Sequence, residues 1–599
     1  MKRLLSLLVI LLSPLSARAA DPWAAVKEAR DQGLPRSALE ALQPLEDAAR
    51  RDRNWPLLAR AIGERVVLES ELEGGRPEGR IRRLAAELPA APPELKPLFH
   101  TLLAHWYWQH FQQNRWRFAQ RTATAGDAGD DFTTWDLPRL FAELDRQFTA
   151  ALADTPTLRR TPIAAFDGLL EQGTLPDALR PTLYDFIARE ALTFYEAGEQ
   201  AGARPQDAFV LAAGSPIFAD VPEFLAWQPV TTDTNAVLLR AVRLHQELLR
   251  FHADDADPAA RLDADLARLR FGWNQAAGAE KQPRYEAALR RFAERHAGHE
   301  PSALARHALA ELLHGRGESA EAHAVATVAV RAFPDSPGGK LSGNLIRRIE
   351  APEARVFAER VWNAPPGPIE LHYRNVPRVW FRVVRDSWDK YLDRRQPRPE
   401  NLRDEDRAAL LRRNPAAAWS RDLPPTPDFR QRLEELPPPA DLAPGFYFLV
   451  ASFREDFAEA DNQLLFAPFF VSDLALVTRP ADGRTEGFVL DARSGEPRAG
   501  AAVEGWWLDQ QGQRVKLPEA RTDDLGFFRL DRAPDHRPLV LRARHGSHEV
   551  ATAGDLWFWH PGREDEAADH ALTRFFTDRA LYRPGQLIQY KGACLRVPS

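Results

Sequence analysis

Hydrophobic residues in the first 350 positions recur with a helical period. In 55–70 they fall at Leu58, Ala61, Ile62, Val66 and Leu68, with Arg65 breaking the stripe. Leu238, Leu239, Val242, Leu248 and Leu249 form a second stripe, and Leu304, Ala308, Leu312 and Leu313 a third. Spacing of three and four residues puts each set on one helix face. Turn formers separate the segments: Gly33-Leu34-Pro35, Asp254 to Pro258, and Phe333-Pro334-Asp335-Ser336-Pro337. Two stretches read as helical hairpins of tetratricopeptide type. One is 24–49 about Gly33. The other is 303–333 about Gly315 and Gly317, with Ala320, Ala324, Ala326 and Ala329 letting paired helices approach. No 34-residue register runs through the region, so 20–350 is predicted to be an irregular helical array. Two roles stay open for it, a plain all-α layer or a concave protein-binding surface.

After Ala354 the period falls to two. Residues 369–375 and 379–384 alternate and are rich in β-branched and aromatic side chains, which predicts a hairpin turning at 375–378. The charged stretch 386–437 is expected to be a helical insertion. Gly445 to Ser452 and Leu465 to Val471 then return as strands, so 355–480 reads as one β-sandwich. A second β unit, 482–560, begins with Gly487-Phe488-Val489-Leu490-Asp491 and the turn Ser494-Gly495-Glu496-Pro497. It continues through Ala501-Ala502-Val503 and Thr522-Asp523-Asp524-Leu525-Gly526-Phe527 to the strand 539–544. This succession resembles the carboxypeptidase regulatory-like domain, a small sandwich with no chemistry of its own. The fold class is therefore α+β multidomain, with a helical array followed by β-sandwiches.

The chain has 599 residues, beyond what one core supports, and its length suggests roughly three to five domains. A net charge of −6 argues against nucleic acid as a partner. Arg outnumbers Lys 71 to 8, which fits a GC-rich genome. The single cysteine, Cys594, rules out an internal disulfide framework and multi-cysteine metal sites, and its strand setting suggests a small buried residue.

Met1-Lys2-Arg3, the aliphatic run 4–12 and Ala17-Arg18-Ala19 have the layout of an export signal, 1–19, cleaved between Ala19 and Ala20. The apolar run is too short to span a bilayer, and no transmembrane segment is expected elsewhere. The mature chain is thus expected in the periplasm or outside the cell.

The histidines carry no catalytic grammar. His296, His299, His307, His314 and His323 cluster in sequence, but His299-Glu300 is followed by Pro301, Ser302 and Ala303, which is no zinc motif. No nucleophile elbow, phosphate loop or dinucleotide fingerprint occurs. No catalytic, cofactor-binding or metal-ligating residue is assigned, and no enzyme activity is expected. The aromatic crowd Trp106, Tyr107, Trp108, Phe111, Trp116, Phe118, Phe132, Trp135 and Phe141 is read as helix packing, with a ligand-binding cleft as the other possibility.

The most specific run is Thr577-Asp578-Arg579-Ala580-Leu581-Tyr582-Arg583-Pro584-Gly585-Gln586, followed by Lys591-Gly592. It resembles the start of a macroglobulin-like domain of the alpha-2-macroglobulin family, a T-D-R-x-x-Y-x-P-G run leading into a strand that ends in K-G. The matching residues are Thr577, Asp578, Arg579, Tyr582, Pro584, Gly585, Lys591 and Gly592. The resemblance covers roughly 355–599. It implies macroglobulin-like sandwiches at 355–480 and from 570, the latter cut short at 599. It also implies the N-terminal part of a secreted protease trap, an endopeptidase inhibitor whose partners are target proteases. Complete members are cut in a bait segment and collapse around the protease, many with a Cys–Gln thioester. Cys594 is followed by Leu595, Arg596 and Val597, not by the thioester sequence, and no bait segment is identified. The chain is therefore expected to be a fragment lacking both. The alternative is a non-inhibitory envelope scaffold that binds other envelope proteins through its helices and sandwiches.

Overall fold

The computed structural model describes residues 3–4, 23–119, 129, 131–171, 173–197, 208–234, 236–363, 365–392, 399–481, 484–509, 511, 513–531, 539–552, 570–577 and 590–597. The leader expected over 1–19, and its cleavage point at Ala19 and Ala20, lie outside these apart from Arg3–Leu4, which pairs antiparallel with Leu170–Glu171. The chain divides into two compact units, 1–351 and 352–599. The first is helical and the second is built of β-sheets, so the α+β multidomain class holds.

The helical unit opens with α1 (Ala24–Asp31), α2 (Pro35–Arg51) and α3 (Trp55–Leu72). Gly33 takes φ +70° at the first turn, where a side chain would be strained. Asn54 caps α3 by accepting from the Leu57 N–H. Leu58, Ala61, Ile62, Val66 and Leu68 of α3 are all buried, as the stripe requires. Next come α4 (Pro77–Glu87), α5 (Lys96–Ala119), α6 (Leu137–Ala151), α7 (Thr155–Arg160) and α8 (Leu183–Tyr195). Thr182 and Asp185 close a reciprocal capping box on α8.

The unit is completed by α9 (Val221–Ala226), α10 (Val237–Phe251), α11 (Ala259–Gln275), α12 (Lys281–Arg295), α13 (Pro301–Gly315), α14 (Ser319–Ala332) and α15 (Pro337–Glu350). α13 and α14 form a hairpin turning at Gly317, φ +81°. Its core differs by one step from the predicted stripe. Leu304, Ala308 and Leu312 are half-buried, whereas Ala303, Ala305, Leu309, Ala310 and Leu313 are buried. The small residues explain the shift. Of the four alanines expected to let the helices approach, Ala326 and Ala329 have no exposed surface, whereas Ala320 and Ala324 are exposed and Ala322 takes the buried position between them. A Cβ on Gly338 of α15 would strike the backbone of Ala303 and Leu304. The helices meet along their smallest side chains, and the leucines flank that seam.

The β unit begins with β1 (Glu353–Phe357), β2 (Val361–Trp362), β3 (Ile369–Arg374) and β4 (Arg378–Asp386). β3 and β4 are not a hairpin. β3 pairs with β1, whereas β4 enters the opposite sheet. Asn375, at φ +58°, turns the chain across the sandwich, and its N–H donates to the Thr426 hydroxyl. Alternation reveals which face of a strand is buried but not which strand lies beside it.

The segment 386–437 departs from the helical insertion expected of it. Among its described residues only a turn at Trp388–Tyr391 and α16 (Asp404–Leu411) are helical. Its second half supplies β5 (Ala417–Asp422), which pairs with β4, and β6 (Arg432–Leu436), which pairs with β3. These are edge strands with mostly exposed side chains, many of them charged, which is why they read as polar helix. β7 (Gly445–Ser452) and β8 (Leu464–Val471) complete sheets ordered β2-β8-β7-β4-β5 and β1-β3-β6. Every residue of β7 is buried. Tyr447, Leu449 and Ala451 face the sandwich core, while Phe446, Phe448 and Val450 face outward under Trp388, Tyr391, Leu402 and Leu410. The insertion is thus the cover of an apolar outer sheet face.

The second sandwich starts earlier than 482. β9 (Leu474–Ala481) pairs along its whole length with β10 (Arg484–Asp491), which also pairs with β14 (Phe527–Leu530). The facing sheet has β12 (Arg514–Lys516), β11 (Ala502–Leu508), β15 (Leu539–His545) and β16 (His548–Ala551) in that order, with β13 (Ala520–Arg521) also on β11. Val489, Val503, Phe528, Leu541 and Ala543 fill the core between them. Finally β17 (His570–Thr577) pairs antiparallel with β18 (Tyr590–Val597).

Candidate functional site

The residues singled out by sequence are only partly described. Thr577 ends β17 opposite Tyr590, the first residue of β18, and Lys591 and Gly592 follow opposite Phe576 and Phe575. The two ends of the motif are therefore neighbours in one ladder. Asp578, Arg579, Tyr582, Pro584 and Gly585 lie outside the described residues. Cys594 is exposed, not buried as its strand setting suggested. It stands on a strand paired on one side only within the described residues, so nothing there covers it.

The histidines do not converge. His323 pairs with Glu350 at 2.7 Å, the His314 ring meets Ser319 at 3.0 Å, and His307 lies 4.0 Å from Glu311. Among the described residues no three metal-ligating groups share a site. The aromatic crowd is core. Tyr107, Phe111, Phe118, Phe132, Trp135 and Phe141 are buried in edge-on, tilted and, for Tyr107 on Trp135, stacked contacts, and Trp116 alone of the group stands well exposed.

Sequence reasoning did not identify two charged arrangements. The first is a cleft of about 340 Å³ in the helical unit, between the start of α9, one face of α11 and one face of α12. Arg261, Asp265, Arg268 and Leu269 face it from α11, at positions four, three and one apart. Arg291, Phe292 and Arg295 face it from α12, with His296 at that helix's end.

Arg268, 1% exposed, forms the floor. Its Nε and Nη2 donate to Asp265 Oδ1 at 2.9 and 2.5 Å, and its Nη1 donates to the carbonyls of Ile217 and Ala219 at 3.0 and 2.9 Å. The guanidinium also lies 4.7 Å from the Phe224 ring. A buried cation so fully bonded is structural. The rim is different. Arg291 and Arg295 share one half-exposed carboxylate, Asp220, at 3.3 and 3.0 Å. That carboxyl is held below its usual range chiefly by the Arg295 hydrogen bond. Arg261 has no hydrogen-bond or ion-pair partner among the described residues. Burial holds the His296 ring below its usual pKa, Asp265 opposes this, and Arg295, Arg261 and His299 push the same way as burial. The sequence signal, arginines spaced by helical turns, was hidden by the abundance of arginine everywhere.

The second arrangement lies in the β unit, where the insertion meets the second sandwich. Arg542 of β15 donates through Nε and Nη2 to Glu504 Oε2 at 3.0 and 2.8 Å, and through Nη1 to Asp389 at 2.6 Å. It lies between the rings of Trp388 and Trp506, at 5.4 and 5.3 Å. Lys516 and Arg544 also reach Glu504, at 2.5 and 3.1 Å. Burial opposes the Glu504 charge, but Lys516 and Arg542 outweigh it and lower the pKa. The available signal was Arg542 itself, a charge in the middle of an apolar strand, on the face opposite the core residues Leu541 and Ala543.

Comparison with known proteins adds the following. No family model matches the sequence, and no curated protein matches it. Solved structures that resemble part of the chain include native alpha-2-macroglobulin from Escherichia coli spanning domains NIE-MG1, at 17% identity and a TM-score of 0.26. That alignment covers 34% of this chain and 96% of that one. Another spans domains MG0-NIE-MG1 of the same protein, at 18% identity and a TM-score of 0.26, covering 34% of this chain and 63% of that one.

Proposed function

We propose that this chain is the N-terminal part of an exported protease trap of alpha-2-macroglobulin type. The supporting observation is the run from Thr577 to Gly592. Its outer ends lie side by side at the start of an antiparallel pair, after two successive β-sandwiches in the same unit. That order is the one the sequence resemblance implies. The role of these domains is mechanical. Stacked sandwiches with rigid cores transmit a rearrangement started by a cut in a strained segment elsewhere. On this reading the chain by itself is expected neither to hydrolyse peptides nor to bond a protease covalently, since its sequence shows no catalytic motif and no thioester run.

Cleavage-induced compaction tests the proposal. The intact secreted protein is treated with a substoichiometric amount of elastase and followed by native gel and small-angle scattering. A single cleavage coupled to a more compact, faster-migrating form is expected. Progressive fragmentation without compaction would refute it. The arginine-lined cleft favours a second reading, a scaffold that binds partners through its helices.

A further inference from the structure

We propose that the cleft between α9, α11 and α12 binds an acidic peptide segment, seating a carboxylate between Arg261 and the Arg291–Arg295 pair. The inference stands independently of the protease-trap reading. Three facts carry it. First, the rim charges do not balance. Asp265 is engaged by the buried Arg268, so three rim guanidiniums line a cleft whose other carboxylate, Asp220, is shared by Arg291 and Arg295 alone. Second, Arg261 lacks a partner among the described residues although it lines the same cleft as Arg295. An unpaired guanidinium beside two that share one acid is a vacant fork for a carboxylate. Third, the remaining wall is apolar, with Val221, Pro222, Leu262, Leu269 and Phe292. A bare oxyanion would leave that wall, and most of the 340 Å³, uncovered. A peptide supplies both the carboxylate and an apolar neighbour. Extended segments laid along helical arrays are a general use of such surfaces.

The cleft also holds its own reporter. The His296 ring lines the cleft with Arg261, Asp265 and Arg295, feels their charges and that of His299, and has no hydrogen-bond partner among the described residues. A carboxylate seated beside it adds negative charge, so the ring's titration moves to higher pH.

The test uses the full chain and a fluorescent peptide of alternating Glu and Leu, with a Gln–Leu peptide, inorganic phosphate and three variants for comparison. The Glu peptide is expected to bind, and the Gln peptide to bind at least about tenfold more weakly. Arg261→Gln and Arg295→Gln should each weaken binding about tenfold, whereas Arg284→Gln, on an exposed surface pair with Glu280, should not. Proton NMR of His296 should show its midpoint rising on saturation with the Glu peptide. Equal binding of both peptides, or insensitivity to Arg261→Gln with an unmoved His296 midpoint, would overturn the proposal. So would displacement of the peptide by an equal concentration of phosphate, which would make the cleft a general oxyanion site. Were a variant to lose its helical circular dichroism, the His296 titration of the unmodified chain would decide alone.

Discussion

Replacing Arg542 by Met removes a buried charge while keeping an unbranched side chain between Trp388 and Trp506. The Glu504 side chain, 3% exposed, then keeps its charge with fewer partners. Breaking a buried pair from one side costs about 3–5 kcal/mol. Lys516 and Arg544 still reach Glu504, and Asp389, 64% exposed, returns to water. The loss should therefore fall at or just below the lower end, about 2–3 kcal/mol. Hydrogen exchange followed by mass spectrometry on peptides covering Leu539–His545 reads it directly. Slowly exchanging amides there should speed up roughly thirty- to a hundredfold, since about 1.4 kcal/mol is a factor of ten. Pairing Arg542→Met with Glu504→Leu should recover most of the protection, because no uncompensated buried acid remains. A change below about fivefold in the single variant, or a double variant no better than the single, would refute the view that Arg542 neutralises Glu504 at this junction.

Three further outcomes are expected. His252 is buried between Asp185 at 2.7 Å and Asp255 at 2.6 Å, and although burial opposes its charge these carboxylates raise its pKa. Its contribution is therefore full below the unfolded-state pKa of about 6.5 and is lost as pH rises through the folded value. His252→Gln should destabilise the helical unit more at pH 5.5 than at pH 8 in urea titrations, and an equal or reversed difference would contradict the assignment. Gly487→Ala places a methyl group on the Val477 carbonyl and 2.7 Å from the Phe528 ring. The second sandwich should lose about 1–3 kcal/mol, visible as faster exchange in β10, and an unchanged profile would contradict the packing. N-terminal sequencing of the protein exported by a Gram-negative host should begin near Ala20 or Asp21, whereas a retained Met1 in a cytoplasmic fraction would exclude the leader.

Burial was legible in the sequence where one pattern had one physical cause. The α3 stripe and the strand Gly445–Ser452 follow from apolar spacing alone, and the turn at Gly317 follows from a residue that tolerates positive φ. Partner choice was not legible. β3 and β4 bury alternate residues in the same core, yet they face each other across it instead of sharing hydrogen bonds. The polar edge strands β5 and β6 carry too few buried residues to betray a period of two. In the α13–α14 hairpin small residues are buried beside Leu309 and Leu313 while Leu304 and Leu312 are only half-buried, a one-residue shift that apolar spacing alone did not distinguish. The arginine cleft draws its meaning from α9, α11 and α12 meeting in space. No single segment shows that three cations line one cleft while only two of them share its rim acid.

The central claim, membership of a protease-trapping protein, is tested most directly by what a captured protease can still do. Intact secreted protein is mixed with elastase at equal molarity, and activity is measured on a large protein substrate and on a small chromogenic peptide. The account predicts that hydrolysis of the large substrate falls sharply while hydrolysis of the small peptide persists, because a caged protease admits only what diffuses into the cage. Equal hydrolysis of both substrates, as with elastase alone, would contradict it.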